Sequence, residues 1–171
     1  MRKDLEKRSK EELIEYIEDI SKLWLTIDGI WFLSVEENYG SDVAIQLDEE
    51  IWQQFSPIEA KRIMQRFNIP ENGGIPALVK ALKYRVYANI NKQEIIEVSD
   101  SRCVFRMNNC RIQVARKLKN LPDFPCKSVG IIEYSEFAKT IDPRIKTKCL
   151  TCPPDKHPEE YYCSWEFILK K

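Results

Sequence analysis

Apolar residues recur at helical spacing from the N-terminus to Gly40. Ser9 and Glu12 have the spacing of a capping box, and Gly40 is placed to end the helix that follows. Between them the apolar positions lie three or four residues apart, which predicts one long amphipathic helix. Its predicted apolar stripe consists of Leu13, Ile17, Ile20, Trp24, Ile27, Trp31, Val35 and Tyr39.

The helical pattern continues to about residue 90. A second helix is predicted from about Asp42. The segment SPIE then predicts a new helix, with Ser56 as its N-cap and Pro57 in its first helical position. Residues 68–74 predict a turn, and the apolar spacing after Pro76 predicts a fourth helix.

Alternating apolar and polar residues replace the helical pattern in the second half. Residues 94–107 predict two short strands joined by a turn at 99–101. Ile145, Thr147 and Cys149 share one face of a predicted third strand. The alternation returns in the last strand, whose apolar face consists of Tyr161, Cys163, Trp165, Phe167 and Leu169.

Two helices are predicted between these pairs of strands. Asn108 is placed to cap the first, which runs to Lys119, and the second covers roughly 127–140. The order ββααββ with short connections predicts a four-stranded antiparallel sheet on which the N-terminal helices pack, hence an α+β fold. We expect a single domain over 1–171, with a helical half at 1–90 and the ββααββ half at 91–171.

The charge balance indicates no particular partner. Lys plus Arg and Asp plus Glu both number 27, so no overall field favours nucleic acid or an anionic membrane. The most apolar stretch is interrupted by Asp28 and Gly29 and is shorter than the ~20 residues that span a bilayer, so no membrane insertion is expected. The charged N-terminus lacks the features of a signal peptide, so we expect a cytoplasmic protein.

Six cysteines in a cytoplasmic protein indicate metal or redox chemistry rather than disulfides. Cys149 and Cys152 form a C-x-x-C pair beside a Pro-rich loop, and Cys163 lies beyond that loop on the last strand. Thiolates at this spacing are typical of a structural zinc site, which needs four ligands. His157, in the same loop, is a candidate for a further ligand.

Other interpretations of the cysteines stay open at this point. An iron–sulfur cluster would use the same thiolates, although the compact ferredoxin spacing is absent. A redox pair needs a C-x-x-C at a helix start, and strands are expected here. Cys103 and Cys110 fit small buried hydrophobic residues. The loop resembles a retroviral zinc knuckle, but Pro153 replaces its glycine and the loop is acidic, so no nucleic-acid binding is expected.

The second half resembles the 4-vinyl-reductase domain, a small-molecule-binding module related in fold to subunits of a vesicle-tethering transport particle. The resemblance rests on the order ββααββ, on a cysteine at the start of the second helix, on the C-x-x-C pair of the third strand and on a final strand that begins CSWEF. It implies a zinc site on Cys126, Cys149, Cys152 and Cys163, with cysteine at 149 in place of the glutamate of that family. His157 stays an alternative ligand.

The N-terminal part resembles two further groups of proteins. Its segment DGIWFLSVEENYG is similar to an uncharacterised bacterial and archaeal cytosolic family of this fold. A weaker similarity links it to hydrolases that open a thiazoline carboxylate ring. Neither resemblance supplies a catalytic residue at a matching position of this chain.

A candidate ligand pocket lies on one side of the first long helix. Trp24, Asp28, Trp31, Phe32 and Glu36 combine aromatic walls with a few carboxylates, as small-molecule cavities do. In the alternative interpretation the tryptophans belong to the core and the acidic residues mark its solvated edge. The expected ligand is a small apolar or aromatic molecule.

These features predict a zinc-binding protein that binds or senses a small molecule. No Ser/His/Asp or Cys/His set can be assembled from the chain, which has one histidine, so a non-catalytic role is favoured over an enzyme. The alternatives are a hydrolase that uses a cavity carboxylate, or an iron–sulfur protein. A third option is an interaction or scaffold subunit, which would form a homodimer through its helices.

Overall fold

The computed structural model describes residues 2–170, which form an α+β fold. The α-helices in the described part of the chain are α1 (Arg2–Leu5), α2 (Lys10–Tyr39), α3 (Ser41–Phe67), α4 (Gly74–Leu82), α5 (Arg111–Leu118) and α6 (Lys127–Ile141). The strands are β1 (Lys92–Ile96), β2 (Arg102–Asn109), β3 (Ile145–Thr151) and β4 (Cys163–Leu169). The chain divides after Ala44 into two compact units. None of the helices in residues 2–170 is long and apolar enough to cross a membrane.

The long first helix is confirmed, together with both of its ends. The Ser9 hydroxyl accepts a hydrogen bond from the Glu12 backbone N–H at 3.1 Å, and the Glu12 carboxylate accepts one from the Ser9 N–H at 2.8 Å. This reciprocal pair is the predicted capping box. Gly40 ends α2 at a φ of 88°, a conformation that glycine adopts without steric cost.

The predicted apolar stripe of α2 is largely exposed, which corrects the expectation that it points into a core. Leu23, next to the stripe, and Trp31 within it are 67% and 68% exposed. Exposed apolar positions on this side of α2 are Tyr16, Ile17, Ile20, Leu23, Ile27, Ile30 and Trp31. Helical periodicity identifies which residues share a face but not what that face packs against, and this limit explains the wrong expectation.

The predicted break between the second and third helices is absent. A single helix, α3, runs through Pro57, and Ser56 is fully buried with a hydroxyl oxygen that has no hydrogen-bond partner. Ser56 is therefore not an N-cap. Proline removes one hydrogen bond from the helix, but Ala60 and Met64 beyond it are buried in the core, so packing outweighs that loss.

Helix α4 begins two residues earlier than predicted. Gly74 starts it at a φ of 62°, and its N–H donates a hydrogen bond to the buried carboxylate of Asp142 at 3.0 Å. Pro76 consequently lies in the first turn, where a missing N–H costs no helical hydrogen bond. The turn over 68–74 is confirmed by positive φ angles at Asn68 and Asn72. A 3-10 helix, Val86–Asn89, precedes β1.

The four strands form one antiparallel sheet with the order β1-β2-β4-β3. Met107 lies opposite Cys163, and Trp165 lies opposite both Phe105 and Cys149. Directly opposed residues share a face. Helices α4 and α6 pack on this sheet, and the core between them contains Phe105, Trp165 and Phe167. The predicted alternation of the last two strands is thereby confirmed.

Both helices between the strand pairs exist, but the cap of the first was predicted wrongly. Asn108 still belongs to β2, because its pairing with β1 continues to Asn109. Cys110 is the N-cap residue of α5 instead. The second helix, α6, begins at Lys127 as predicted and has Cys126 as its N-cap residue.

Candidate metal centre

Cys126 and Cys163 come together because α6 crosses β4 at very close range. A Cβ atom on Gly130 would lie 2.7 Å from Cζ2 of Trp165, so only glycine permits this approach. Cys126 precedes Gly130 by one helical turn, and Cys163 precedes Trp165 by two strand positions on the same face. The crossing therefore sets the start of α6 against the start of β4.

Cys152 joins this pair from the loop that follows β3. Its sulfur lies 3.6 Å from that of Cys126. The hydrogen bond with Cys152 lowers the pKa of Cys126, whereas the nearby thiols of Cys126 and Cys163 raise the pKa of Cys152. Cys152 is buried, with 1% of its surface exposed. The thiols of Cys126 and Cys152 are thus in contact, and Cys163 is near enough to Cys152 to raise its pKa.

Cys149 lies at the edge of this group. It faces the core side of β3 opposite Trp165, with the thiols of Cys126 and Cys163 as neighbours. Burial raises the pKa of Cys149 to about 11, and the ammonium of Lys127 works against that rise. This thiol is only partly buried.

Hydrogen bonds from Lys127 hold the cysteine-bearing loop on the end of α6. The Lys127 backbone N–H donates to the carbonyl oxygen of Pro153 at 3.0 Å, and its ammonium contacts both carboxylate oxygens of Asp155 at 3.0 and 2.8 Å. The N–H of Asp155 donates to the Cys152 carbonyl oxygen at 2.9 Å. Cys152 is therefore positioned by three contacts that do not involve its sulfur.

His157, the alternative ligand, has protein partners at both ring nitrogens. Nδ1 lies 2.8 Å from the carbonyl oxygen of Pro158, and Nε2 lies 3.0 Å from a carboxylate oxygen of Asp123. Burial lowers the pKa of His157, but the Pro158 carbonyl and the Asp123 carboxylate outweigh it, so the net direction is upward. This pairing anchors the loop to the segment before α6 and engages both of the nitrogens that a metal would use.

Two residues that the sequence analysis did not assign to the site border it. Gln113, which is 1% exposed, donates from its side-chain nitrogen to the Phe124 carbonyl oxygen at 2.9 Å and to the Cys126 sulfur at 3.5 Å. Its side-chain oxygen accepts the Phe124 N–H at 2.8 Å. Cys110 begins the same helix; burial raises its pKa to about 12, with smaller contributions from the thiols of Cys126 and Cys163. No spacing or motif in the sequence marks Cys110 and Gln113 as site residues, because their approach to Cys126 depends on where α5 lies.

Cys103 lies apart from the other cysteines. It is fully buried on β2 opposite Phe167, four strand positions before Met107, which faces Cys163. Burial raises its pKa to about 12. The interpretation of Cys103 as a small buried hydrophobic residue agrees with this position.

The side chains of the described residues do not form a finished metal-binding group. Across residues 2–170, no group of three or more histidine, cysteine, aspartate or glutamate side chains is already arranged to hold one. The donor set nevertheless suits zinc, because two thiolates bound tetrahedrally at ~2.3 Å would stand about 3.8 Å apart. The 3.6 Å between Cys126 and Cys152 is close to that value.

The five predicted pocket residues all lie on α2 and do not all face the same way. Trp31 is 68% exposed, whereas Trp24, Asp28, Phe32 and Glu36 are partly buried. Glu36 accepts a hydrogen bond from the Ser41 hydroxyl at 2.7 Å. Helical geometry separates Trp31 from Phe32 and Glu36 by a wide angle, so Trp31 belongs to the exposed apolar side of the helix.

Glu59 and Glu133 are two buried carboxylates. Both pair with Arg85, at 2.9 and 2.6 Å, and the guanidinium is 2% exposed. It also lies 4.9 Å from the ring centre of Phe137 and 5.1 Å from that of Tyr134. These two buried ion pairs on one guanidinium form a structural link between α3 and α6.

A shallow cavity of about 470 Å³ lies between α4 and the β1–β2 turn. Its walls are formed by Pro76, Val79, Lys80, Lys83, Tyr84, Val98, Ser99 and Asp100. The Lys80 ammonium donates to the carbonyl oxygen of Phe67 at 2.9 Å, and the Tyr84 ring stacks on Phe67. Lys80 and Tyr84 are thus occupied by contacts with Phe67, and they lie far along the chain from the thiols.

Comparison with protein families finds a match over residues 6–169, to a model described as a family of unknown function (DUF6125). The chain belongs to this family. No curated protein matches the chain.

Proposed function

We propose that this member of the DUF6125 family is a cytosolic, non-catalytic module that binds a small apolar or aromatic molecule and is stabilised by a structural zinc ion on Cys126, Cys149, Cys152 and Cys163. The observation that carries the metal site is the contact between the thiols of Cys126, at the start of α6, and Cys152, in the loop after β3, at 3.6 Å. The element order ββααββ, which resembles the 4-vinyl-reductase domain, supports the ligand-binding role.

A four-thiolate site of this kind would act on folding rather than on chemistry. Closed coordination leaves no position for water or substrate, whereas catalytic zinc keeps one open. The ion would link the loop after β3, the start of β4 and the start of α6. Its binding free energy would then be part of the folding free energy.

The metal site is tested by comparing Cys152→Ser with Cys103→Ser. Both cysteines are buried, but only Cys152 contacts other thiols, so Cys103→Ser controls for placing a hydroxyl in the core. We expect purified wild type and Cys103→Ser to hold about one zinc per chain. Cys152→Ser should hold far less and melt at a lower temperature than the control.

Elemental analysis with a visible spectrum on the same sample gives the answer. Equal metal content in both variants, or none in the wild type, would overturn the zinc site. Iron with visible absorption would replace it by the iron–sulfur alternative. The ligand-binding role is tested by titrating metal-loaded protein with benzoate and with phenol while following tryptophan fluorescence; no change with either probe would contradict it.

A role as an interaction subunit is a second candidate, favoured by the exposed apolar side of α2. Tyr16, Leu23 and Ile30 are seven residues apart, as are Ile20 and Ile27, which is the spacing of a coiled-coil seam. All five are exposed by 46–67%. Large exposed apolar surfaces of this kind are typical of protein interfaces.

The charge pattern of α2 favours a second copy in antiparallel orientation as the occupant. Lys10 and Lys22 are the only basic residues of an otherwise acidic helix. A parallel pair would align the acidic residues of both copies. An antiparallel pair centred on Leu23 instead sets Glu12 of one copy level with the uncharged Ser34 of the other, which avoids that repulsion at both ends.

A further inference from the structure

A fifth cysteine, Cys110, lies beside the four predicted ligands without a role. It is the N-cap residue of α5, and its side chain packs against the same core cluster as Cys126 and Cys149. Its backbone carbonyl accepts the Val114 N–H at 2.9 Å, so the start of α5 is fixed. No capping hydrogen bond occupies its side chain in the manner of a serine or aspartate cap.

Two independent tethers hold Cys110 near the thiols. Along the sheet, Met107 lies opposite Cys163 and its carbonyl oxygen accepts the Tyr162 N–H at 2.9 Å, three residues before Cys110. Across the helices, Gln113 makes two hydrogen bonds with the backbone of Phe124 and one with the sulfur of Cys126. The first turn of α5 is thereby attached to the strand of one ligand and to the side chain of another.

The sheet order sets Cys110 and Cys149 on opposite sides of Cys163. Strand β4 lies between β2 and β3; Cys110 follows β2, and Cys149 lies on β3. Cys110 lies three residues before Gln113, which contacts the Cys126 sulfur, and Cys149 faces Trp165, two positions along β4 from Cys163. The fourth coordination position can therefore be approached from either side.

We propose that Cys110 is a ligand of the same metal ion and can take the fourth position in exchange with Cys149. The inference rests on the proposed zinc site, in which Cys126, Cys152 and Cys163 supply the other three thiolates. Gln113 would stabilise the thiolate of Cys126, as outer-shell donors do in metal sites. With five thiols around one ion, one ligand can leave while the coordination stays at four thiolates.

The test uses cobalt(II) as the probe, because its thiolate-to-metal absorption grows with the number of bound thiolates. The full chain is loaded with cobalt as wild type, Cys110→Ser, Cys149→Ser and the double variant, with Cys103→Ser as control. We expect four-thiolate spectra from the wild type, the control and both single variants. The double variant should give a three-thiolate spectrum and lose more than the ~100-fold in affinity that the largest outer-shell changes cost.

The possible results separate the two proposals. A Cys149→Ser protein that already has three thiolates, with no further loss in the double variant, would overturn the role of Cys110 while leaving the zinc site intact. A wild type that binds no cobalt would overturn both. If the double variant fails to fold, the comparison of Cys149→Ser with wild type still decides, because a retained four-thiolate spectrum requires a fifth cysteine.

Discussion

Gly130 is the residue on which the geometry of the candidate metal centre depends most. A methyl group there would lie 2.7 Å from Cζ2 and 3.0 Å from Cη2 of the fully buried Trp165. The clash involves a large, closely packed ring, so α6 or β4 must move. Such a displacement also separates Cys126 from Cys163.

Gly130→Ala is therefore expected to lower the free energy of unfolding by about 1–3 kcal/mol, as overpacking does, and to weaken metal binding. Gly29→Ala is the matched control, since Gly29 is also inside a helix and no atom lies within 4 Å of its added methyl group. It should stabilise the protein by roughly 0.5–1 kcal/mol. Urea unfolding and zinc titration of both variants measure the effects; a neutral Gly130→Ala would contradict the crossing as described.

His157 is expected to make the loop after β3 sensitive to pH. Its pKa is raised above 6.5 in the folded protein, with the Pro158 carbonyl and the Asp123 carboxylate as the stabilising partners. Stability from this contact is fully present below the unfolded value of about 6.5 and is lost as pH rises through the higher folded value. His157→Ala should consequently reduce the melting temperature at pH 6 and have less effect at pH 8.

Asp123→Asn provides the control for this interpretation. It removes the charge that the protonated ring contacts at 3.0 Å but keeps the side-chain size. It should reproduce the pH dependence of His157→Ala in direction. An effect of His157→Ala that does not vary between pH 6 and 8 would assign the histidine to packing alone.

Most helices and strands could be predicted from the spacing of apolar residues and from the residues that begin or end a helix. The capping box at Ser9, the glycine at residue 40 and the alternation around Trp165 were sufficient to define α2 and β4. The helix start predicted at Pro57 was wrong. Serine followed by proline favours a helix start, but the buried residues that follow favour one continuous helix. The helix cap predicted at Asn108 was also wrong, because the pairing of β2 with β1 overrides the preference of asparagine for a cap position.

The candidate site could be predicted where its residues sit on regular elements. Cys149 and Cys163 were assigned by alternation and spacing, and Cys126 by resemblance at a helix start. Cys110 and Gln113 were missed because their role depends on where α5 lies relative to β4, which is a tertiary property. The exposure of Trp31 could not be predicted either, because apolar periodicity shows which residues share a helix face but not what that face contacts.

The exposed side of α2 predicts self-association through that helix. Leu23→Glu places a charge at the centre of the proposed antiparallel seam and should convert a dimer to a monomer, because burying an unpaired charge is costly. Ile14→Glu is the matched control: Ile14 is 48% exposed and, nine residues before Leu23, lies on the opposite side of α2. Sedimentation equilibrium measures the outcome. A monomeric wild type, or equal effects of both changes, would contradict the proposal.

For the whole molecule, removal of the metal should loosen one region first. The proposed ion links β4, the loop after β3 and the start of α6, whereas α3 and α4 have no proposed ligand. After treatment with a zinc chelator, amide hydrogen exchange should increase most in residues 145–169 and at the start of α6, and the melting temperature should fall. Unchanged exchange in these segments would argue that the thiols contribute only as buried side chains.

The position of β4 has a consequence for how the chain is made. β4 follows the other three strands in sequence yet lies between β2 and β3, which do not pair with each other. A nascent chain can form the β1–β2 hairpin and all of the helices while β3 still has no strand to pair with. The sheet closes, and Cys163 reaches the other thiols, only when residues 163–169 have left the ribosome. Metal capture would then distinguish chains that include β4 from chains that stop before it.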